Sequence, residues 1–389
     1  MTSLTEQYLD SVQAKLVGLD AQLPALAAAA SVAGERACVG GKVWALSDEA
    51  GFVSELQHRA SGLMMVRGLP GGGALPLDQA ISEGDAVLAA TQNHDPVGQG
   101  ACLEALAKRG VHVTLIGSAD SSLRSSATAF VDNGLPPGTG PVLTFRGRSV
   151  CPAASAINVA AGWLWALELA NACHRLGKAP VFLVSGVLRA GFDRNQQHEG
   201  KSFHGPGEYQ VSAAPAGEKG RELLAELLRC FSSIRATEIG KLAELGAIAA
   251  TTIAAGNTVW CASIGHNLAA QRDLDGDPGL FHLVFPEQRE TPELSDGDLY
   301  IYNGYYFFPK EELSAVRAAG IRSAWVMGGK EIETIYPHPG EIHINAYWRY
   351  GDAAIHLPGY DVRVIPPSGV VTTAMLWLLN AAAADAMED

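Results

Sequence analysis

Several side chains in the second half of the chain could bind an anion. Ser263, Gly265, His266 and Asn267 follow a short apolar run and supply a hydroxyl, a permissive backbone and two side-chain donors. Ser368 follows two prolines at the start of a helical pattern, as an N-cap residue does. Backbone N–H groups and the positive end of a helix dipole favour anion capture at such positions. A structural role is the alternative for His266.

The corresponding loops of the first half are acidic. Asp48 and Glu49 follow the apolar run VWALS, and Asp95 lies in TQNHDPVG, from Thr91 to Gly98. Like charges at short range inside a cleft oppose the binding of a phosphate. These loops therefore favour a neutral or cationic group of a ligand. In the second half, the aromatic run from Tyr302 to Phe308 could stack on an apolar face of a ligand or, as aromatics more commonly do, pack in the core.

A Gly-rich polar stretch, RAGFDRNQQHEGKSFHGPGEYQ, separates the two halves between Arg189 and Gln210. Its side chains that could bind a ligand or take part in catalysis are Asp193, Asn195, His198, Glu199 and His204. A linker of this composition needs none of these groups. The stretch is therefore either a spacer or a segment that folds over a site.

The sequence repeats itself once. VWALS at 43–47 returns as VWCAS at 259–263, and Trp163 and Trp377 lie 214 residues apart at equivalent places in two apolar helical patterns. A fixed offset along the chain indicates a tandem duplication. We predict two domains, 1–210 and 211–389, packed as a pseudo-twofold pair, because duplication commonly fuses the halves of a symmetric dimer.

Apolar periodicity predicts the elements that position these residues. Each repeat opens with a long amphipathic helical pattern. Continuous apolar runs then predict strands buried on both faces of a parallel sheet: KVWAL, LMMV, AVLAA, VHVTLIG and PVFLVS, then TVWCA, LFHLVF, LYIY and SAWVM. The fold class predicted is α/β, with two tandem three-layer α/β/α sandwiches. Ligands in such sheets bind beyond the carboxyl ends of the strands.

The order of several short motifs resembles the sugar isomerase, or SIS, family, most closely its bacterial phosphosugar-binding members related to phosphoheptose isomerase. The motifs are SELQHRASGL at 54–63, VDNG at 131–134, VCPAASA at 150–156, PVFLVS at 180–185 and AGFDRN at 190–195. SIGHN at 263–267 and VIPPSGV at 364–370 resemble a diverged second copy. The resemblance implies flavodoxin-like, SIS-type domains with parallel sheets.

The resemblance also implies site residues. Glu55 matches the glutamate of the family's E-E-L helix and is the expected proton-transferring base, with His94 and His266 as catalytic histidines and His58 as a weaker candidate. Arg59 could orient a carboxylate or form an i,i+4 pair with Glu55 on a helix. The predicted substrate-binding residues are Ser47, Arg59, Thr91, Asn93, Ser263, Gly265, Asn267, Asn303, Ser368, Asn195 and His198.

Composition restricts the partners. A net charge of −13 argues against a general nucleic-acid or anionic-membrane surface, although one local anion pocket is compatible with it. Six scattered cysteines show no spacing typical of a zinc site or a disulfide framework. The N-terminal segment lacks a signal-peptide pattern. We therefore expect a cytoplasmic protein without cofactor or metal, whose partner is a small sugar or sugar phosphate; a further homodimer remains open.

These expectations converge on a sugar or phosphosugar binding protein that acts as an aldose–ketose isomerase through an enediol. That chemistry needs a carboxylate to move a proton between C1 and C2 and a histidine to assist ring opening. A non-catalytic sugar sensor is the alternative that the degenerate loops favour. A deglycase or lyase is a further alternative, because the same enediol chemistry serves it.

Overall fold

The computed structural model describes residues 2–57, 59–69, 81–92, 98–186, 188–272, 274–304, 309–329, 332, 336–349 and 351–388. The first half contains the elements α1 (Leu4–Gly18), α2 (Leu23–Cys38), β1 (Val43–Ser47), α3 (Ala50–Leu56), β2 (Val66–Gly68), β3 (Ala86–Ala90), α4 (Gln99–Lys108), β4 (His112–Gly117), β5 (Ala129–Asp132), β6 (Pro141–Phe145), β7 (Arg148–Pro152), α5 (Ala154–Arg175) and α6 (Gly191–Gln197).

The second half contains α7 (Glu218–Thr237), α8 (Ile239–Ala254), β8 (Val259–Ser263), β9 (His282–Val284), β10 (Leu299–Asn303), α9 (Lys310–Ala318), β11 (Arg322–Met327), β12 (Glu341–Asn345), β13 (Ile355–His356), β14 (Arg363–Val364) and α10 (Ser368–Glu388).

Each half contains a five-stranded sheet with the same strand order. The first sheet runs β2-β1-β3-β4-β5, and the second runs β9-β8-β10-β11-β12 in the corresponding sense. All pairings within both sheets are parallel. This is the flavodoxin-like order, so the predicted fold class is confirmed. The order reverses between β1 and β3, where Ser47 pairs with Ala90, and between β8 and β10, where Ser263 pairs with Asn303.

A buried aspartate binds the start of the sheet in the same way in both halves. Asp85 accepts hydrogen bonds from the Trp44 indole at 3.1 Å and from the Lys42 and Ser82 amides. Asp298 accepts from the Trp260 indole, also at 3.1 Å, and from the Thr258 and Ser295 amides. The two halves therefore share the same set of hydrogen bonds at this position, as a duplicated sequence would.

The two halves share a continuous apolar core. Its centre is formed by α5 and α10, which are buried along nearly their whole length and contact each other. Helices that are apolar on all sides are expected at such a position. Smaller apolar clusters on the opposite sheet faces pack α4 in the first half and α9 in the second, which completes three layers in each half.

Two segments of the described chain are long and apolar enough to span a membrane by length and composition, 4–38 and Ser368–Glu388. In the second segment 83% of the most apolar window is buried inside the protein, as in a core helix. The first segment is two helices joined by a 3₁₀ turn at Leu19–Gln22. Both segments pack against other helices of the fold.

The structure corrects several predicted elements. PVFLVS is not a sheet strand; within it, isolated antiparallel bridges join Phe182 to Leu63 and Pro180 to Phe203. The predicted LMMV strand lies later, at β2, and the long helix that opens the second half breaks between α7 and α8. The helix predicted over SELQHRASGL ends at Leu56, where Gln57 turns extended. The boundary between 210 and 211 stays a prediction.

Candidate functional site

Helix α3 lies between two buried carboxylates. Glu49 immediately precedes it and Glu55 lies in its last turn. Glu49 is 5% exposed and Glu55 is fully buried. The helix begins after the carboxyl end of β1 and contacts the second half. Gly51 packs so closely on Asn267 that a Cβ added to Gly51 would lie 2.2 Å from Asn267 Oδ1. We call this region the α3 junction.

The Glu49 carboxylate binds groups from both halves. One oxygen accepts hydrogen bonds from Ser155 Oγ at 2.6 Å and from Gln271 Nε2 at 2.9 Å. The other oxygen accepts a hydrogen bond from the side-chain Nε2 of Gln92. The Trp377 indole fixes the Gln271 amide by donating to its oxygen at 3.2 Å. The first-half switch point is therefore occupied by a side chain of the protein itself.

Burial raises the pKa of Glu49 to about 7, and the neighbouring Asp48 charge adds to the effect. The hydrogen bonds from Ser155, Gln271 and Gln92 act in the opposite direction, because they stabilise the ionised form. This carboxyl group therefore changes its protonation state near neutral pH.

The Glu55 carboxylate belongs to a second buried network. Arg59 Nε donates to Glu55 Oε1 at 3.1 Å, and Arg59 Nη2 donates to Asp352 Oδ2 at 2.7 Å and to Ser368 Oγ at 2.5 Å. Glu55 Oε2 has no partner within hydrogen-bonding geometry among the described residues, although the buried Trp163 indole lies near enough to this carboxyl to act against the rise of its pKa. The expected Glu55–Arg59 pair exists, but Arg59 lies beyond the end of α3, so it is not a pair on a helix face.

Burial also raises the pKa of Glu55 to about 7. The Arg59 charge opposes this shift, whereas the Asp352 charge reinforces it. Glu55 Oε1 lies against the first turn of α10, where a Cβ on Gly369 would approach it to 2.1 Å. Glycine at this position is therefore required by the carboxylate rather than by the backbone.

The two carboxylates occupy equivalent places in the duplicated fold. Glu49 contacts Ser155 in the first turn of α5, and Glu55 contacts Gly369 in the first turn of α10. Ser155 and Gly369 are related by the 214-residue repeat offset. A helix N-terminus favours negative charge, and here each is provided with one by the protein. A phosphate would have to compete with these carboxylates.

The second-half residues predicted to capture an anion are unevenly exposed. Ser263 is buried against Cys261 Sγ, and Asn303 Nδ2 donates to the Thr372 carbonyl. Asn267 Nδ2 donates to Thr373 Oγ1, while its amide oxygen is buried without a partner in the described chain. His266 is exposed, and its Nδ1 lies 3.1 Å from the Ser54 carbonyl, next to Glu55.

Gly265 lies between Ser263 and His266 and is partly exposed. Ser368 is not an N-cap residue as predicted but the first residue of α10. Its amide and hydroxyl both donate to Asp352, at 3.1 and 2.7 Å, so the helix is capped by a carboxylate 16 residues earlier in the chain. The ranking of the 263–267 loop above the 46–49 loop for anions stays a prediction.

The remaining predicted residues lie in four different places. Ser47 and Thr91 are buried, and they surround Asp48: Ser47 Oγ lies 3.4 Å and Thr91 Oγ1 3.3 Å from its carboxylate. The Asn195 side-chain amide accepts from the Val184 N–H and donates to the Val184 carbonyl, each at 2.8 Å, so its role is structural. His198 contacts Glu208 rather than the α3 junction. Asn93, His94 and His58 lie outside the described residues.

Two clefts of the described chain lie away from the predicted site residues. One, of about 640 Å³, runs along β9 and is lined by Trp260, Arg272 and His282 among others. The other, of about 290 Å³, is basic and is lined by Lys42, Arg67 and Lys178 with Cys38. The basic cleft is a local anion-compatible surface on an acidic protein.

The sequence did not reveal four members of the junction: Gln92, Ser155, Gln271 and Asp352. Ser155 had a usable signal, because it occupies the repeat position of Gly369. Gln271 and Asp352 had none, because they bind Glu49 and Arg59 across 222 and 293 residues of chain. Tyr302, by contrast, packs on Trp325 at 5.6 Å between ring centroids, as the core interpretation of the aromatic run predicted.

Comparison with solved structures identifies the architecture. A candidate sugar binding protein from Salmonella typhimurium LT2 superposes with a TM-score of 0.52 at 12% identity, covering 97% of this chain and 98% of that chain. The chain has the tandem SIS fold. A candidate phosphosugar isomerase from Clostridium difficile 630 also gives 0.52, at 10% identity, covering 100% of this chain and 93% of that chain. No protein-family model and no curated protein sequence matches the chain.

Proposed function

We propose that this tandem SIS protein binds a small sugar derivative at the α3 junction and that Glu55 moves a proton during aldose–ketose isomerisation. One observation carries the proposal: the Glu55 carboxylate has a buried oxygen without a partner in the described chain, and its pKa is raised to about 7. A general base is most effective when its pKa lies near the working pH.

His266 supports the same assignment by its position. Its Nδ1 contacts the carbonyl of the residue that precedes Glu55, and its ring is exposed. A neutral imidazole that donates from Nδ1 leaves Nε2 as an acceptor for a ligand hydroxyl. Although part of the His266 ring reaches solvent, the protein removes water from the rest of it; this desolvation and the Arg59 charge lower the pKa of His266, which favours that neutral form. In ring opening, such an Nε2 would take the proton of the anomeric hydroxyl and return it to the ring oxygen as the bond from that oxygen to C1 breaks.

Charge at the α3 junction favours an unphosphorylated ligand. Carboxylates already occupy the first turns of α5 and α10, and Asp352 caps α10. A phosphate brought to these helix ends would meet like charge in a poorly screened setting. An uncharged or amino sugar would meet acceptors instead. The names of the two superposed structures, a sugar binding protein and a phosphosugar isomerase, support a carbohydrate ligand.

Regulatory sugar binding is the second candidate, and the full burial of Glu55 favours it. Its network with Arg59, Asp352 and Ser368 joins the two halves. A ligand that displaced Arg59 would break an ion pair between the halves and could change their packing without any chemistry. In that case binding would occur without proton exchange on the sugar.

Solvent exchange distinguishes the two candidates. Aldoses, 2-amino aldoses and ketoses, each free and 6-phosphorylated, are screened by thermal shift. Ligands that bind are incubated in D₂O with NMR detection of the C2 proton of an aldose or the C1 protons of a ketose. We expect deuterium incorporation with the wild-type protein. Glu55→Gln should slow it by about 10²- to 10⁴-fold with affinity within about tenfold, because loss of a general base falls on the transition state.

Glu35→Gln is the matched control, since Glu35 is an exposed glutamate of α2 whose side chain binds Ser31 of the same helix rather than a residue of the junction. It should exchange at the wild-type rate. Binding without exchange by the wild-type protein would establish the regulatory function. Exchange by Glu55→Gln at the wild-type rate would show that Glu55 is not the base.

A further inference from the structure

The connector between the halves brings three metal-ligand side chains to one point. His198 follows α6, and His204 and Glu208 lie six and ten residues farther on. One atom of each, two ring nitrogens and a carboxylate oxygen, lies within 4.8 Å of the other two. Both histidines are buried, whereas the Glu208 side chain is 42% exposed.

Two of the three separations are close to the edges of a tetrahedral site, and the third, between the histidine nitrogens, is at most 4.8 Å. Glu208 Oε1 lies 3.1 Å from His204 Nδ1 and 3.7 Å from His198 Nε2. Metal–nitrogen and metal–oxygen bonds of about 2.1 Å at tetrahedral angles place ligand atoms about 3.4 Å apart. The three atoms can therefore share one ion with small side-chain adjustments. The two imidazoles are nearly perpendicular, with centroids 4.5 Å apart, so their lone pairs can converge without ring stacking.

The surroundings hold the ligands in place. The Gly205 amide donates to Glu208 Oε2 at 2.9 Å, which leaves Oε1 directed at the histidines. The His204 amide donates to the Ala179 carbonyl, and the His204 ring packs on Tyr209 with centroids 4.3 Å apart. Outer partners of this kind orient metal ligands.

We propose that His198, His204 and Glu208 form a site for a divalent transition metal of the zinc type. Two imidazoles and one carboxylate suit Zn²⁺ and its neighbours, whereas Mg²⁺ prefers six oxygen ligands. The exposed side of Glu208 leaves a fourth coordination position open to water or a ligand, as in catalytic rather than structural zinc sites. The sequence expectation of no metal is replaced by this proposal.

The site would fasten the connector to the second half. Tyr209 stacks on Tyr360 with centroids 5.3 Å apart, and its hydroxyl donates to Asp361 at 2.9 Å. An ion held next to Tyr209 would therefore stabilise the segment through which the two halves are joined. This proposal is independent of sugar binding, because none of its three ligands contacts the α3 junction in the described contacts.

Zinc titration of the full-length, metal-stripped protein in competition with a chromogenic chelator tests the proposal. We expect one Zn²⁺ per chain, no comparable effect of Mg²⁺, and at least tenfold weaker zinc binding by Glu208→Gln. Glu208 is the main target because its exposure makes loss of folding improbable as an explanation. Glu199→Gln, an exposed glutamate of the same connector, is the control and should bind as the wild type does.

His198→Gln provides a second variant, checked for a wild-type circular dichroism spectrum, and should also bind at least tenfold more weakly. Cobalt substitution provides an independent readout, because four-coordinate Co²⁺ gives a strong visible absorption that Glu208→Gln should reduce. Wild-type protein that takes up no zinc, or zinc bound equally by the wild type, Glu208→Gln and His198→Gln, would overturn the proposal.

Discussion

Glu49→Gln is expected to stabilise the protein above neutral pH. In the folded state the Glu49 carboxyl holds its proton up to a pKa of about 7, because burial disfavours the charge, whereas the ordinary value is 4.5. The native state therefore binds more protons than the unfolded state between these pH values. The contribution of this group to stability is largest at acid pH and is lost as pH rises through 7.

The size of the effect follows from the two pKa values. One pKa unit corresponds to about 1.4 kcal/mol, so at pH 8 the raised pKa lowers the free energy of unfolding by about 3 kcal/mol relative to a glutamate with the ordinary pKa. Glutamine resembles the protonated acid in shape and never ionises. It can keep the bonds from Ser155 and Gln271 through its oxygen, and Gln92 can turn its amide to accept from the new NH₂ group.

Urea unfolding at pH 5, 6, 7 and 8 measures the difference. Glu49→Gln should gain about 2 kcal/mol of unfolding free energy relative to the wild type between pH 5 and pH 8. Glu35→Gln, which is exposed, should show no such trend. Comparison at each pH removes the contributions of the other carboxylates. A variant that is destabilised equally at all four pH values would show that Glu49 is not held protonated by its surroundings.

Three further outcomes follow from the geometry. Gly369→Ala should destabilise the protein by about 1–3 kcal/mol in urea unfolding, because the new Cβ would lie 2.1 Å from Glu55 Oε1. Asp85→Asn and Asp298→Asn should each cost about 1–3 kcal/mol and agree within about 1 kcal/mol, since each carboxylate accepts the same set of bonds; unequal losses would contradict an equivalent role in both halves. Phosphate soaked into crystals should appear at Ser263–Asn267 before it appears at the acidic first-half loop.

The fold was predictable because its signals are local and repeated. AVLAA at 86–90 is a strand as predicted, and the 214-residue offset places Trp163 and Trp377 on the two central helices. The short strands β5 and β12 were missed, because their sequences AFVD and EIHIN lack a long apolar run. A helix was correctly predicted after β1, but it was placed over 54–63, whereas α3 spans Ala50–Leu56.

The site was only partly predictable because its bonds are non-local. Glu55 and Arg59 pair as neighbours in sequence, and that pair was anticipated. Glu49 was recognised only as a repelling charge, since nothing in its own segment indicates that Gln271 and Ser155 would surround it. The sequence reports which charges are present, whereas burial, which raises the pKa of both glutamates, arises only from packing between the halves.

The central claim is that the α3 junction binds a sugar derivative without a phosphate, because Glu49 and Glu55 place carboxyl groups at both helix ends and these are ionised above a pKa of about 7. Isothermal titration at pH 8, where both carboxylates are largely ionised, tests it directly with one sugar, its 2-amino derivative and its 6-phosphate. We expect the free or aminated sugar to bind at least tenfold more tightly than the phosphate, and Glu55→Gln to narrow that difference. Tighter binding of the 6-phosphate, with no change in the Gln variant, would contradict the account.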